Sequence, residues 1–341
     1  MRTIFLQTQT ASQRSDSVVK ASDALRQGKL VAFPTETVYG LGANALDERA
    51  VREIFRVKGR PEDNPLIVHV HSRKQATELM QDVPPLFTEL ANEFWPGPLT
   101  MVVPRNAAVP DIVTAGLSSV ALRMPDHQLT REFLRAAAVP VAAPSANISG
   151  RPSPTSGLDV YHDLKGLIFA VLDGGSCDVG IESTVLDLTT DLPTILRPGT
   201  VTREDLEDVI QSRVYFATDI PDRPAAPGMK YKHYAPEAEL VVIRSEHPDA
   251  EGTLKRRMLQ AQRTGKRTAL LAPERFDSTG ADLRFSLGEG AAVDYARMMY
   301  AGLRALDAGG ADIIFCPGIP EEGIGYAVMN RLGKAASKVI R

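Results

Sequence analysis

Along the first two thirds of the chain, the apolar positions switch repeatedly between helical and strand periods. From Ser15 to Gln27, the residues Val18, Val19, Ala21, Ser22 and Leu25 recur on one helical face, and Gly28 ends the run. Leu30-Val31-Ala32-Phe33 is a short unbroken apolar stretch that predicts a buried strand, stopped by Pro34. The following PTETVYGLGANA has no sustained period and reads as a loop of hydroxyls and glycines. Asp47 stands at an N-cap position before Ala50, Val51, Ile54 and Phe55 at helical spacing, and Gly59 and Pro61 close that helix. LIVHV (66–70), TMVVP (100–104), SVALRM (119–124), PVAA (140–143), LIFAVL (167–172) and STVLDL (183–188) predict more strands. Helices near 85–94 and 128–137 separate some of them, and Thr202 opens a short amphipathic helix. So many strands do not suit a clean doubly wound sheet, and the expected architecture is α/β with a twisted mixed sheet.

The pattern changes at 213–238, a proline-rich segment without a period that reads as an ordered linker or lid. Beyond it, ELVVIR (239–244), TALLAP (268–273) and DIIFCP (312–317) alternate with helices near 248–263, 291–308 and 325–338. That alternation predicts a small Rossmann-like parallel α/β domain. The expected organisation is a domain at 1–212, the linker at 213–238 and a C-terminal domain at 239–341.

Composition narrows the function classes. A chain of 341 residues with 43% apolar and 24% charged residues is an ordinary globular protein of about two domains. A net charge of −3 with 6% aromatics argues against nucleic acid as the main ligand, although a local basic cleft stays open. The two cysteines, Cys177 and Cys316, form no CxxC, so no zinc ribbon or thioredoxin-like site is suggested, and two cysteines so far apart argue against a disulfide framework. No run approaches the roughly 18 apolar residues of a membrane helix, so a cytoplasmic protein is expected. Walker A, GxGxxG, GxSxG and RNP patterns are missing.

Three segments concentrate polar chemistry. In KGRPEDNPLIVHVH, Lys58 and Arg60 follow a helix C-terminus, where cations complement the dipole. With Asn64 and His69 close behind on one rigid turn, the same residues suit a phosphate-bearing ligand. His69 and His71 share a strand face by alternation, but a third metal ligand at sensible spacing is missing. APSANISGRPSPTSG (143–157) is either a surface loop or a cradle of hydroxyls and backbone N–H groups for phosphates. In GGSCDVGIESTVLDL, Ser183 begins a strand. Arg123 and Arg197 end two others, so these cations would converge if the strands share a sheet edge.

PTETVYGLG, KGRPEDNPLIVH, SVALRMP, APSANISGRPSPT, GIESTV and ILRPG occur in the order seen in YrdC-type L-threonylcarbamoyladenylate synthases, which the chain resembles over about residues 15–211. PGMKYKHYAP and the small α/β region after it resemble the longer two-domain members. The resemblance implies an enzyme that joins L-threonine, bicarbonate and ATP into L-threonylcarbamoyl-AMP and releases pyrophosphate. A downstream tRNA threonylcarbamoyl transferase would use the product, and direct tRNA binding by this chain is left open. It further implies that Lys58, Arg60, Asn64, Ser145, Asn147, Ser153 and Arg197 contact ATP, with Lys58 and Arg60 as catalytic cations and Ser119 near the nucleotide. Thr35, His69, Arg123, Ala143 and Ser183 would hold threonine. Tyr231 and Tyr234 would close over the site. Mg²⁺ would arrive on the ATP phosphates rather than in a protein metal site. Three rival readings compete with this one: a double-stranded RNA-binding module, disfavoured by charge and sparse aromatics; a carbamoyl-transfer domain of hydrogenase maturation, whose zinc fingers two cysteines cannot supply; and a regulatory nucleotide-binding protein.

Overall fold

The computed structural model describes residues 2–217, 234–276 and 280–341, which form two compact units. The N-terminal unit comprises residues 2–149, 154–178 and 182–217, and the C-terminal unit the rest.

The N-terminal unit is built on strands β1 (Ile4–Leu6), β2 (Val31–Phe33), β3 (Gly40–Asn44), β4 (Ile67–His69), β5 (Leu99–Pro104), β6 (Ser119–Arg123), β7 (Val141–Ala142), β8 (Ala170–Leu172), β9 (Thr184–Asp187), β10 (Thr194–Arg197) and β11 (Tyr215–Phe216). They form one sheet in the order β1-β8-β2-β3-β7-β4-β6-β5-β9-β10-β11. The sheet is mixed: β4–β6 and β5–β9 are parallel, whereas β2–β3, β3–β7, β7–β4 and β6–β5 are antiparallel.

One face carries the larger core, with Leu41, Val68, Met101, Leu122 and Leu186 against residues such as Ile54, Phe87 and Leu206. The opposite face is covered only in part. Helices Ala11–Arg26 and Gln128–Ala137 pack there through Val18, Leu25, Phe133 and Leu134 onto Phe33, Val141 and Ala143. Farther along, Ile67, Val102, Ser119 and Ala121 stay half-buried on alternate positions of β4, β5 and β6. A strip of sheet is thus left open beside a packed border.

Local chemistry accounts for the helix boundaries. Helix Ala11–Arg26 begins four residues before the expected Ser15 because Thr10 and Gln13 form a reciprocal capping box. Helix Glu48–Lys58 starts where expected: the Asp47 side chain accepts from the N–H groups of Arg49 and Ala50, and Gly59 ends it at φ 62°. The PTETVYGLGANA loop requires correction, since residues 40–44 are a buried central strand. Its glycines hid it. The Phe33 ring lies across β3, and a Cβ at Gly42 would come within 2.9 Å of that ring and of Val141. The 143–157 loop runs as expected to its last residue, where Ser156 caps a helix not expected from the sequence, Gly157–Leu164, by accepting from the Asp159 N–H. At the start of the expected linker, Tyr215 and Phe216 pair with β10.

The C-terminal unit is a five-stranded, all-parallel sheet. Its strands are β12 (Glu239–Ile243), β13 (Thr268–Ala272), β14 (Leu283–Ser286), β15 (Ile313–Pro317) and β16 (Lys338–Ile340), in the order β14-β13-β15-β12-β16. Helix Ala250–Arg263 packs on one face through Leu254 and Met258. Helices Ala292–Ala308 and Ile324–Ala335 pack together elsewhere on the sheet. Two strands lie outside the expected pattern. β14 is a short edge strand with a polar residue at alternate positions. β16 follows a helix that stops at Ala335 because Ala336 is extended, short of the expected 338.

Candidate active site

The sheet register sets out a row of polar side chains. His69 on β4 pairs with Arg123 on β6. One step along the antiparallel β5–β6 ladder, Thr100 falls level with Arg123. Thr100 pairs with Val185 on β9, and Val185 with Arg197 on β10. Directly paired residues share a face, so His69, Arg123, Thr100 and Arg197 look out on the same side, about 4.8 Å apart per strand. Ser183 joins the row from the start of β9. Its hydroxyl lies 2.8 Å from that of Thr100 and accepts from Arg197 Nη2 at 3.0 Å, while Arg197 Nε donates to the Ser183 carbonyl at 3.0 Å.

The turn after β2 folds over this row. The Thr35 hydroxyl donates to the Val38 carbonyl at 2.7 Å and lies 2.8 Å from the Thr37 hydroxyl. Arg123, 4% exposed, donates to Thr37 Oγ1 at 2.9 Å and to the Gly97 carbonyl at 3.3 Å. Its Nη2 also lies 2.8 Å from a carboxylate oxygen of Glu36, itself buried. That ion pair is close but poorly aligned as a hydrogen bond. Both Glu36 oxygens and Arg123 Nη2 therefore lack a hydrogen-bond partner among the described residues, and His69 Nδ1 and His127 Nδ1 lack one as well. Buried polar atoms are rarely left so, and a cluster of them fits a small polar ligand. Burial, reinforced by the Arg123 charge, pushes the His69 imidazole down to about 3, so it is neutral at physiological pH. His127 is also lowered, by burial first. Ala143, buried beside Gly40, supplies a small residue at the border.

A second polar group lies at the other end of the central strands. Lys58, the last residue of helix Glu48–Lys58, is only 2% exposed, and its ammonium donates to the carbonyls of Ser145 and Asn147. The Ser149 N–H donates back to the Lys58 carbonyl at 2.9 Å. The Ser145 hydroxyl donates to Asn147 Oδ1 at 2.5 Å, and Asn147 Nδ2 to the Ile148 carbonyl at 2.8 Å. Arg60 donates to the backbone carbonyls of Asn64 and Pro65 at 3.2 Å each, which holds the turn while the side chain stays half-buried. Asn64 is buried, and neither atom of its amide has a hydrogen-bond partner among the described residues. Ser119 opens β6, four residues before Arg123 on the same face, or about 13 Å along the strand.

The structure thus brings Thr35, His69, Arg123 and Ser183 together with Arg197, and groups Lys58, Arg60, Asn64, Ser145 and Asn147 separately. Ser153 and Tyr234 belong to the C-terminal unit. The Tyr234 ring packs 5.5 Å from that of Tyr300, with Arg331 over it. Tyr231 lies outside the described residues. β4 ends at His69, so His71 falls beyond the strand. Four residues of the cluster were missed: Glu36, Thr37, Thr100 and His127. Thr100 had a signal, the polar alternate of LTMVV, and Glu36 and Thr37 lay inside a quoted motif. Among the described residues no group of three His, Cys, Asp or Glu could hold a metal. Burial raises the thiols of both Cys177 and Cys316, so neither is a ready nucleophile.

The fold and the two polar groups define a small-molecule site on a YrdC-like domain. The Sua5_yciO_yrdC family, described as "Telomere recombination", matches residues 23–199, and Sua5_C, described as "Threonylcarbamoyl-AMP synthase, C-terminal domain", matches residues 201–337. The chain is 46% identical over 319 residues to the threonylcarbamoyl-AMP synthase of Pyrococcus abyssi, covering 93% of each chain. It is 42% identical to that of Bacillus subtilis, covering 98% of this chain and 97% of the relative. A crystal structure of P. abyssi Sua5 complexed with L-threonine superposes with a TM-score of 0.92 at 42% identity, covering 100% of this chain and 99% of the other. The chain belongs to the threonylcarbamoyl-AMP synthase family.

Proposed function

We propose that this chain makes L-threonylcarbamoyl-AMP from L-threonine, bicarbonate and ATP with release of pyrophosphate, in the cytoplasm, and passes it to a tRNA threonylcarbamoyl transferase. The observation that carries the reading is the buried cluster of Glu36, Arg123 and His69, whose unused donors and acceptors match a small zwitterion. Arg123 takes the threonine carboxylate, and Thr35, Ser183 and the neutral His69 supply hydrogen bonds to the rest of the amino acid.

The threonine amine, once deprotonated, attacks the carbon of bicarbonate. An N–C bond forms and water leaves. A carbamate oxygen then attacks the α-phosphorus of ATP, the bond to the β-phosphate oxygen breaks and pyrophosphate departs. Both partners of the second step are anionic. Lys58, Arg60 and Arg197 screen them, and positioning by the rigid strands replaces a covalent nucleophile. Asn64, Ser145 and Asn147 bind the nucleotide alongside Ser119. Asn64 Oδ1 and Ser145 Oγ are neutral oxygens of the kind Mg²⁺ accepts beside phosphate and water, and these residues would hold a phosphate-borne Mg²⁺ that would neutralise phosphate charge.

A pyrophosphate-release assay with each substrate omitted in turn tests this reading. Release should require threonine, bicarbonate and ATP together and proceed without RNA. Release that continues unchanged without threonine would refute it.

A further inference from the structure

We propose that the C-terminal unit carries a binding site of its own for a nucleoside monophosphate, at the C-terminal edge of its parallel sheet. The argument begins with topology. The chain leaves β12 for β13 on one side by way of helix Ala250–Arg263, and leaves β15 for β16 on the other by way of helix Ile324–Ala335. β12 and β15 are neighbours whose outgoing connections run in opposite directions, each passing the other strand, so right-handed crossovers carry them to opposite faces of the sheet. In open parallel α/β sheets such a switch point leaves a crevice beyond the strand ends, and ligands bind there.

The crevice is present. A cavity of 420 Å³ is lined by residues just past β12, β13 and β15 and by the start of helix Ala292–Ala308. Its size falls within the usual range for small-molecule sites. Ile243, Ile319 and the Phe276 ring give it an apolar side. Arg275 contributes a guanidinium, steadied by a 2.9 Å bond from Nη1 to the Glu289 carbonyl.

Three helices begin at this edge, and their positive ends favour an anion. At Ala250–Arg263 the Asp249 side chain already accepts from a first-turn N–H, and at Ala292–Ala308 the first-turn carboxylate of Asp294 accepts from the Ala291 N–H, whereas the helix starting at Ile324 has neither a side-chain cap nor an acidic first turn. Glu322 also lines the cavity. A carboxylate there disfavours a bare anion and favours one that carries N–H or O–H donors. Together, an apolar and aromatic side, a guanidinium near the uncapped start of helix Ile324–Ala335, and the Glu322 carboxylate with the Ser245 hydroxyl match a base, a phosphate and a ribose hydroxyl or base amine. None of these residues belongs to the site described above.

Equilibrium dialysis of radiolabelled AMP against the full chain tests the proposal. Arg275→Ala removes the guanidinium. Ala292→Glu puts a negative charge at the first position of a helix, which favours the helix but repels the phosphate. Either substitution should lower the AMP bound at saturation by about one equivalent per chain, with the melting temperature of Ala292→Glu no lower than that of the parent. Arg60→Ala should leave that equivalent in place. Inorganic phosphate should displace it only at concentrations at least about tenfold above those of competing unlabelled AMP. The proposal is overturned if both variants bind as much AMP as the parent. Displacement by phosphate as readily as by AMP would overturn the nucleotide assignment.

Discussion

The two polar groups of the N-terminal unit solve different problems. The row around Arg123 is buried: Thr37, the Gly97 carbonyl and the nearby Glu36 charge hold the guanidinium before any ligand arrives, while both Glu36 oxygens and His69 Nδ1 have no hydrogen-bond partner among the described residues. The group around Lys58 is anchored mainly to backbone carbonyls, and its members Arg60 and Ser145 remain half-buried. A small zwitterion has few atoms with which to offset desolvation, so its pocket must be preorganised. A triphosphate brings several charges and can be met by groups that stay partly in water. The Arg123 charge is therefore held inside the fold, whereas the Arg60 charge stays half-exposed for a ligand.

The largest expected effect on stability tests the first half of that contrast. Arg123→Ala leaves Glu36 buried without its partner, which should cost about 3–5 kcal/mol and lower the melting temperature by roughly 10 °C. A drop under about 2 °C would mean that the pair is not structural. Arg60→Ala tests the second half. Its kcat/KM should fall roughly a hundredfold, about 3 kcal/mol of barrier, for a folding cost below about 1 kcal/mol. Near-normal turnover with a sharply lower melting temperature would reverse the assignment.

Acid titration reaches the buried row directly. His69 is pushed from 6.5 to about 3 in the fold, so the unfolded chain binds the extra proton between those values and stability falls as pH drops below 6.5. The loss from this residue should be roughly 2 kcal/mol by pH 5. In His69→Gln, urea-unfolding midpoints measured from pH 7 to 5 should vary less than in the parent; an identical pH profile would show that His69 is not the group responsible. The smallest effect belongs to Asn64, whose buried amide lacks partners in the fold. Asn64→Leu should leave stability unchanged or raise it by about 1 kcal/mol while weakening ATP binding. A clear loss of stability would show that the amide serves the fold.

Much of the framework is legible in the sequence. Asp47 and Gly59 marked the helix that ends in Lys58, and LIVHV, SVALR and STVLDL marked the strands that carry His69, Arg123 and Ser183, because burial of one sheet face writes itself into alternation. β3 was not legible. A strand made narrow so that Phe33 can cross it contains glycines, and glycines read locally as a turn. Nor was the choice among the hydroxyls of 143–157. Ser156 became a helix cap, Ser145 turned to Asn147, and Ser153 went to the C-terminal unit.

By itself, then, the sequence determined most of the helices and strands, that two α/β regions follow one another, and which residue types could meet a phosphate or an amino acid. These follow from local spacing and capping, which act over a few residues. Only the tertiary structure decided that Glu36 faces Arg123 across 87 positions of chain, that Thr100 stands level with His69, and that β12 and β15 send their helices in opposite directions. Those relations depend on strand order and register. Many distant pairings compete to set them, and a one-residue slip would turn every side chain of a strand to the opposite face.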